Sequence, residues 1–513
     1  MKKRALLVYP AHPPHTFWSF KYALKFVRKS STFPPLGLLT VGALLPQDWE
    51  LRLVDLNIEP LRERDLRWAD LVMVSAMAVQ RSSAESVIKK AKALGKPVVA
   101  GGPLFTMHFD EFKDSVDHQV LGEAEINLPK FLQDLERGKA ERIYFPPGFA
   151  DIKKTPVPRF DLVKIYRYAS MNIQFSRGCP YNCEFCDIPL LYGHKPRTKN
   201  APQLIKELEA LYQLGWRGGV FFVDDNFIGN RKNLKAEILP ALIQWSRFRD
   251  YPFRFFTEAS INLADDEELM EMMVEAGFDE VFIGIETPNP ESLKEVHKVQ
   301  NYRRDLFGAI EKIHSHGLIV QGGFILGFDS DPPNIFDTMV EFIQKSGIIT
   351  AMVGLLQAPR GTKLYRKLKE QGRLLKEFVD NNTDFSLNFI PKMDYRKLLL
   401  GYKKVVDKLY SPEGLYQRIN AFIETYRPVT KAKYRLTRER LWAFIRSIFV
   451  IGIFDQGRKY YWKSLLKTAF KKPKLFPLTV TFEIYGYHFR KIYRAQAKKI
   501  KELLSVRQER FSR

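Results

Sequence analysis

The chain has 513 residues, 45% of them hydrophobic and 13% aromatic, which is ample for well-buried cores in two to four domains. Three cysteines are too few for a disulfide framework, so a reducing cytoplasm is the expected compartment. No stretch reaches the roughly 18 uncharged apolar residues of a membrane span; the longest approach, residues 441–454, is interrupted by Arg446.

The net charge of +23 is unevenly spread. From Pro391 to Arg513 there are 30 Lys and Arg against 9 Asp and Glu, a balance of +21 that leaves only +2 on the preceding 390 residues. A basic tail on a near-neutral body suggests an anionic partner surface, either membrane or nucleic acid.

The opening MKKRALLVYP has a short apolar run broken by Pro10, and it reads as a first strand rather than a signal peptide. A Pro- and aromatic-rich loop, PAHPPHTFWSF, follows. FPPLGLLTVGALLP then enters a helix, and ELRLVDLN, LVMVSAM, KPVVAGGP and VDHQVLGEAE are candidate strands, with a helix around Ala84–Leu94. Strands alternating with helices predict a parallel, Rossmann-like sheet over residues 1–150. Ligands of such sheets bind at strand carboxyl ends, which here carry Asp55, Ser75, Gly101–Gly102 and Gly122–Glu123. The G-x-G-x-x-G dinucleotide fingerprint is absent after the first strand. Small residues at these ends would instead let a flat, bulky ligand lie against the backbone.

Residues 151–165, DIKKTPVPRFDLVKI, read as a linker. Beyond it YASMNIQFSRG, GGVFFVDDN, FRFFTEAS, EVFIGIET, IVQGGFILGF and TAMVGLLQA are candidate strands. The helices between them are expected at Gln203–Leu214, Leu234–Phe248, Asp266–Ala276, Arg304–His316 and Ile335–Ser346. Six strands with intervening helices predict a partial, TIM-like (β/α)6 barrel over residues 166–385, with reactive groups at strand carboxyl ends. Residues 386–513 are predicted to form a mainly helical, basic and aromatic domain ending in the charged stretch KKIKELLSVRQERFSR.

All three cysteines, Cys179, Cys183 and Cys186, lie in the stretch SRGCPYNCEFCDIP, spaced C-x3-C-x2-C. Three thiolates this close can hold three irons of a 4Fe–4S cluster, since soft sulfur ligands suit such clusters. With no fourth cysteine, one iron would lack a protein ligand. Structural zinc is the rival reading, but it usually takes four protein ligands, and His194 would have to be the fourth.

At these residues the chain resembles the radical S-adenosylmethionine (SAM) enzymes, whose motif C-x3-C-x-Φ-C has an aromatic at Φ, here Phe185. The resemblance implies that SAM chelates the open iron, is cleaved by one electron to methionine and a 5′-deoxyadenosyl radical, and that this radical abstracts a hydrogen from an unactivated carbon. By position it also implies further SAM-binding residues: Asp224, Asp225 and Asn226 after the second strand, Glu258 after the third, Gly284 and Glu286 with the fourth, and Gly322 and Gly323 on the fifth. No protein nucleophile or other catalytic side chain is expected beyond the cofactors.

The N-terminal region resembles the cobalamin-binding domains that precede many radical SAM cores, through Pro35, Leu36, Gly37, Ser75, Gly101, Gly102, Gly122 and Glu123. The D-x-H-x-x-G sequence that places a histidine on cobalt is absent; His12 and His15 lie near the first strand without it. Cobalamin would then sit without a protein histidine. FVDDNFIGNRK, GIETP and CEFCDIPLLYG followed by PR are particularly similar to the hopanoid 2-methylases and their relatives, which include enzymes that form rings in archaeal lipids. That implies a cobalamin-dependent methyltransferase acting on a lipid carbon, with a low-potential flavodoxin- or ferredoxin-type electron donor. Ring or bond formation in a membrane lipid, RNA modification, and a non-enzymatic cobalamin or iron–sulfur sensor are the alternatives.

In the basic region, Arg440–Arg446 and Tyr460–Lys463 mix aromatics with cations. This is the composition of a helix lying in a bilayer interface, so peripheral contact at the inner face of an anionic membrane is expected. Aromatics and cations would equally suit RNA, but the radical SAM methylthiolases that modify tRNA need a second cysteine-bound cluster, and no cysteines are left for one.

Overall fold

A strand covered on both faces can be apolar throughout, and RALLVY, LVMVS and VVAG are such runs. They form β1 (Arg4–Tyr9), β3 (Leu71–Ser75) and β4 (Val98–Gly101). With β2 (Glu50–Asp55), β5 (His118–Val120) and β6 (Ile143–Tyr144) they make an all-parallel sheet in the order β2-β1-β3-β4-β5-β6. Side chains alternate across a strand. Leu6, Val8, Val72 and Val74 therefore pack with Ala84, Val87 and Ile88 of the helix Arg81–Ala93. Ala5, Leu7, Leu71 and Met73 pack on the other face against Leu38, Leu128 and Phe131 of the helices Leu36–Leu44 and Ala124–Glu136. The predicted fifth strand shrinks to three residues because Ala124 already begins a helix, and β6 is too short to have been expected.

The computed structural model describes residues 3–375, 385–429 and 437–511. The chain divides into two compact units, one of residues 1–13, 30–180 and 187–225, the other of residues 14–29, 181–186 and 226–513. Besides the first sheet, the first unit holds β7 (Ser170–Ile173), β8 (Ser176–Arg177), β9 (Arg197–Thr198) and β10 (Gly219–Phe222). Here β10 runs parallel to β7, and β8 and β9 form a short antiparallel ladder. The second unit holds β11 (Arg254–Ala259), β12 (Phe278–Glu286), β13 (Ile319–Leu326) and β14 (Ala351–Leu355), parallel and paired in chain order. All six expected long strands are present, separated by helices such as Ala201–Gln213, Glu267–Ala276 and Leu306–Ser315. This alternation fits a partial TIM-type barrel. The helices start where side chains can take up free backbone N–H groups: Asn200 accepts from Gln203, Asp266 from Leu269 and Asp305 from Gly308. The helix predicted from Leu234 opens instead with a π-helical turn, Leu234–Ile238, before its α-helical part, Leu239–Phe248.

The C-terminal region is helical as expected, with helices Tyr395–Leu409, Pro412–Thr425, Arg438–Ser447, Arg458–Lys471 and Phe476–Phe511; residues 512 and 513 of the expected charged tail lie outside the described residues. The loop read as PAHPPHTFWSF has a partner that its sequence does not disclose. Residues 14–29 belong to the same unit as the C-terminal helices. Phe20 stacks on His488, with ring centroids 5.2 Å apart and planes within 11°. Ala23 and Phe26 share a core with Ala443, Ile451, Tyr461 and Val480. Among the described residues, no helix is long and apolar enough to cross a membrane.

Gly347 ends the helix Ile335–Ser346 at φ +70, and a Cβ there would lie 2.7 Å from the Phe422 backbone nitrogen. Gly347→Ala is therefore expected to cost about 2–4 kcal/mol, from left-handed strain plus a clash with backbone that cannot swing away. Gly95→Ala, at φ +65 with nothing within 4 Å, should cost only about 1 kcal/mol. Urea unfolding of the two variants checks the difference.

Candidate active site and cofactor residues

The cysteine loop leaves β7 and is closed at its base by the β8–β9 ladder, with Ser176 opposite Thr198 and Arg177 opposite Arg197. Gly178 sits at φ +97, and a Cβ on it would fall within 3.0 Å of the carbonyl oxygens of Tyr192, Gly193 and Lys195. Only glycine fits there. The Cys179 amide donates to the Gly193 carbonyl at 3.2 Å. The segment carrying the other two cysteines is strapped through Glu184, whose amide donates to the Val296 carbonyl at 3.0 Å and whose carbonyl accepts from Leu364 at 2.9 Å. None of the three cysteines is in a disulfide, and all three are half-buried. Among the described residues no three His, Cys, Asp or Glu side chains converge on one ion position. A cubane does not require such convergence, because each thiolate binds a different iron. Three soft sulfurs with no fourth in the sequence fit a 4Fe–4S cluster with one open iron.

Beside two of these cysteines lies a residue that no motif marks. The Lys298 ammonium is 2.5 Å from Glu286 Oε1, and both side chains are largely buried. Burial disfavours the Lys298 cation, but the charges of Glu286, Cys183 and Cys186 outweigh it and hold its pKa above the usual range. Its nitrogen also lies 6.0 Å from the Phe185 ring centroid. The Gln300 amide nitrogen approaches Cys183 Sγ at 3.8 Å, and Asn301 donates to the carbonyls of Gly284 and Ile285, both at 3.0 Å. Glu286 itself is held at φ +66. A lysine twelve positions after a glutamate carries no local sequence signal; only the turn after β12 brings the two together.

The acidic cluster after β10 separates into distinct roles. Asp224 accepts hydrogen bonds from the amides of Phe175 (3.1 Å) and Ser176, and so pins the approach to the cysteine loop. Asp225 accepts from Gly178 at 3.3 Å. Burial raises the carboxyl pKa of Asp224 to about 7 and that of Asp225 to about 6. The Asn226 side-chain oxygen accepts from the Ser260 amide at 3.2 Å.

In the second unit, Glu258 on β11, Phe282 and Gly284 on β12, and Gly323 on β13 are half-buried residues that alternate with buried neighbours. Register pairs Glu258 with Phe282 and Gly284 with Gly323, so these residues share one face. Gly322 points to the other face, where a Cβ would meet the Phe324 ring at 2.6 Å and Ile348 at 3.3 Å. Of the expected glycine pair, therefore, only Gly323 shares the face of Gly284.

The residues expected around cobalamin occupy the carboxyl edge of the first sheet, except Pro35, Leu36 and Gly37, which form the N-terminal turn of the helix Leu36–Leu44. Ser75 ends β3 and Gly101 ends β4, and they are register partners. Gly102, at φ +86, lies against the Ser75 hydroxyl, and Gly122, at φ +70, lies against Pro146. Gly37 borders open space, with nothing within 4 Å of where a Cβ would stand. The small residues Ser75, Gly101 and Gly102 at the ends of β3 and β4 fit a broad, flat ligand lying against the backbone. Asp55, also at a strand end, is taken up by Asn57 and by the Tyr168 hydroxyl at 2.8 Å.

Glu123 is the exception on this edge. Its carboxylate is buried and fully engaged: Arg177 reaches Oε1 at 2.8 Å, Arg197 reaches Oε2 at 2.9 Å, and the Ala150 amide donates to Oε2 at 2.7 Å. Glu125 takes the other side of Arg177 at 2.8 Å. Burial opposes ionisation of Glu125, yet Arg177 outweighs it and holds that carboxyl below its usual range. The turn is thus tied to the base of the cysteine loop. Glu123→Ala takes the carboxylate from little-exposed Arg197 and one of two carboxylates from Arg177, and is expected to cost about 3–5 kcal/mol, with Glu123→Gln milder. Thermal unfolding together with iron per chain after reconstitution measures both effects.

Residues 28–132 match the B12 binding domain, residues 173–343 the radical SAM superfamily and residues 362–502 a domain of unknown function (DUF4070). An uncharacterized methyltransferase of Synechocystis sp. is 42% identical, over 99% of this chain and 96% of that protein. The hopanoid C-2 methylase of Rhodopseudomonas palustris is 34% identical, over 91% of this chain and 89% of that one. Among solved structures, the radical SAM methyltransferase TsrM from Kitasatospora setae, with cobalamin and a 4Fe–4S cluster bound, superposes with a TM-score of 0.58 at 16% identity, covering 96% of this chain and 100% of that chain. With both domain signatures present, and relatives of this identity aligned over nearly the whole chain, this protein belongs to the cobalamin-binding radical SAM methyltransferases, alongside the hopanoid methylases and their relatives.

Proposed function

We propose that this cobalamin-dependent radical SAM methyltransferase adds a methyl group to an unactivated carbon of a polycyclic isoprenoid lipid, a hopanoid or a close relative. The observation that carries the lipid is the identity to the hopanoid C-2 methylase across nine-tenths of the chain. The cofactors are a 4Fe–4S cluster, SAM and cobalamin; when bound, they supply one-electron cleavage of SAM, hydrogen abstraction and the methyl group.

The protein's own contribution is to hold and orient. Cys179, Cys183 and Cys186 would ligate the cluster, with Lys298 adding positive charge felt by Cys183 and Cys186 and the Gln300 amide adding a donor beside Cys183. Asp225, Asn226, Glu258, Gly284, Glu286 and Gly323 would contact SAM together with Phe185, while Asp224 and Gly322 support the backbone from behind. Pro35, Leu36, Gly37, Ser75, Gly101, Gly102 and Gly122 would border cobalamin, and Glu123 would hold the turn beside it. An electron carrier of flavodoxin or ferredoxin type would reduce the cluster. The domains on this reading are residues 1–150, 166–385 and 386–513, with 151–165 as a linker between the first two.

Two measurements test this reading. Anaerobically reconstituted enzyme given methyl-deuterated SAM, cobalamin, dithionite and a hopanoid is expected to release 5′-deoxyadenosine and a lipid carrying the labelled methyl. Nucleoside release with a ring-closed, unlabelled lipid would replace methyl transfer by bond formation.

The second concerns pH. An ammonium group binds the ionised carboxylate, and burial places the Asp225 carboxyl at about 6. SAM affinity is therefore retained above this value and falls as pH drops through it, by up to about tenfold per pH unit. Equilibrium dialysis between about pH 7.5 and about pH 5.5 reads the slope; Asp225→Asn should bind more weakly and flatten it.

A further inference from the structure

The C-terminal region carries two apolar stripes that the described residues leave uncovered. Along the helix Arg438–Ser447 and the π-helical segment Ile448–Ile453, the exposed residues Leu441, Ile445, Phe449 and Ile453 recur every fourth position. Along the helix Arg458–Lys471, Trp462, Leu466 and Phe470 do the same. Such spacing lines up one helical face, and the opposite faces are the ones in the core: Ala443, Ser447 and Ile451 on the first, Tyr461, Leu465 and Thr468 on the second. The stripes meet where the Trp462 indole donates to the Gly452 carbonyl at 2.9 Å. Phe454 stands at the bend between them, 80% exposed, and Phe470, near the far end of the second, is 85% exposed. Large contiguous apolar surface of this kind marks an interaction site.

The charge around the stripes selects the partner. Residues 437–475 hold ten Lys and Arg against two acidic residues. Both acids are committed: Glu439 to Lys29 at 3.0 Å and Asp455 to Arg490 at 2.5 Å. Exposed Arg458, Lys459, Lys463, Lys471 and Lys474 flank the apolar residues. A second copy of this chain would bring two strongly positive faces together. Nucleic acid would satisfy the cations, but Leu441, Ile445, Ile453 and Leu466 offer bases no ring to stack on. A bilayer with anionic headgroups satisfies both features at once, taking the apolar stripe below the headgroups and the cations among them. No described helix can span it, so the hairpin lies in the plane. We infer that the helical hairpin of residues 438–471 is a membrane-docking surface for anionic lipid. The surface stands on its own residues; only its use, bringing the enzyme to a lipid substrate, rests on the proposed function.

The test uses full-length, cofactor-loaded protein sedimented with vesicles of equimolar phosphatidylcholine and phosphatidylglycerol, and with phosphatidylcholine alone. Wild type is expected to pellet with the anionic vesicles. Phe449→Ser/Phe470→Ser should lower the bound-to-free ratio by at least about tenfold, since each phenylalanine loses its burial in lipid. Lys463→Glu/Lys471→Glu should lose the preference for phosphatidylglycerol. Both variants should keep the wild-type far-ultraviolet circular dichroism and release 5′-deoxyadenosine at the wild-type rate in solution.

Wild-type protein remaining in the supernatant, or undiminished pelleting of the double serine variant, would overturn the inference. So would a concentration-dependent dimer that dissolves in that variant, or retention by RNA without pelleting. Methylation of a detergent-dispersed hopanoid by protein that ignores vesicles would remove the docking surface and leave the function. Vesicle binding without lipid methylation would do the reverse.

Discussion

Arg177 lies at the base of the cysteine loop between Glu123 and Glu125, and Arg197, across the β8–β9 ladder, shares Glu123 with it. Little of any of these four side chains reaches water, so each charge depends on its partners for what hydration would otherwise supply. The consequence is mechanical. A loop that must hold three thiolates in one arrangement cannot rely on its own few backbone hydrogen bonds, and here its two ends are fixed to the turn after β5 in the N-terminal sheet. Gly178 completes the anchor by admitting three carbonyl oxygens where a side chain would stand.

Charge also organises the second unit's share of the site. Lys298 and Glu286 form a buried pair above Gly284, and the charges of Cys183 and Cys186 add to that of Glu286 in favouring the lysine cation. A cluster with three thiolates is anionic, and a fixed cation in a poorly solvated setting stabilises negative charge more than the same cation in water would. The two carboxylates after β10 behave differently although they are adjacent in sequence. Asp224 is taken up by two backbone amides, whereas Asp225 accepts a single amide and keeps capacity for a ligand.

Much of the fold was legible because apolar runs bounded by turns leave few alternatives. The five longer strands of the first sheet and the six long strands of the second set lie where their patterns predict them. The short ladder β8–β9 and the strand β6 were not readable, since two residues carry no period. The cysteine motif was legible for a related reason: three ligands within eight positions need no tertiary structure to be recognised together. Lys298, Arg177 and Arg197 were not, because a lone cation in a sequence is ordinarily solvated and only the fold shows which one is buried. Gly322 and Gly323 illustrate the limit within a motif. Both match by position, yet strand alternation sends one to the core.

The sequence by itself determined the chemistry: three thiolates and a missing fourth, glycines at strand ends in place of a nucleotide fingerprint, and a cationic, aromatic C-terminal region. These are properties of residue type and local spacing, which survive without a fold. Only tertiary structure decided which charges neutralise one another, why the aromatic loop before residue 30 exists at all, and which face of the hairpin at 438–471 is left bare. Those depend on burial, and burial belongs to residues far apart in the chain: Phe20 meets His488, Arg177 meets Glu123, and Lys298 meets Glu286 only when the backbone between them has closed.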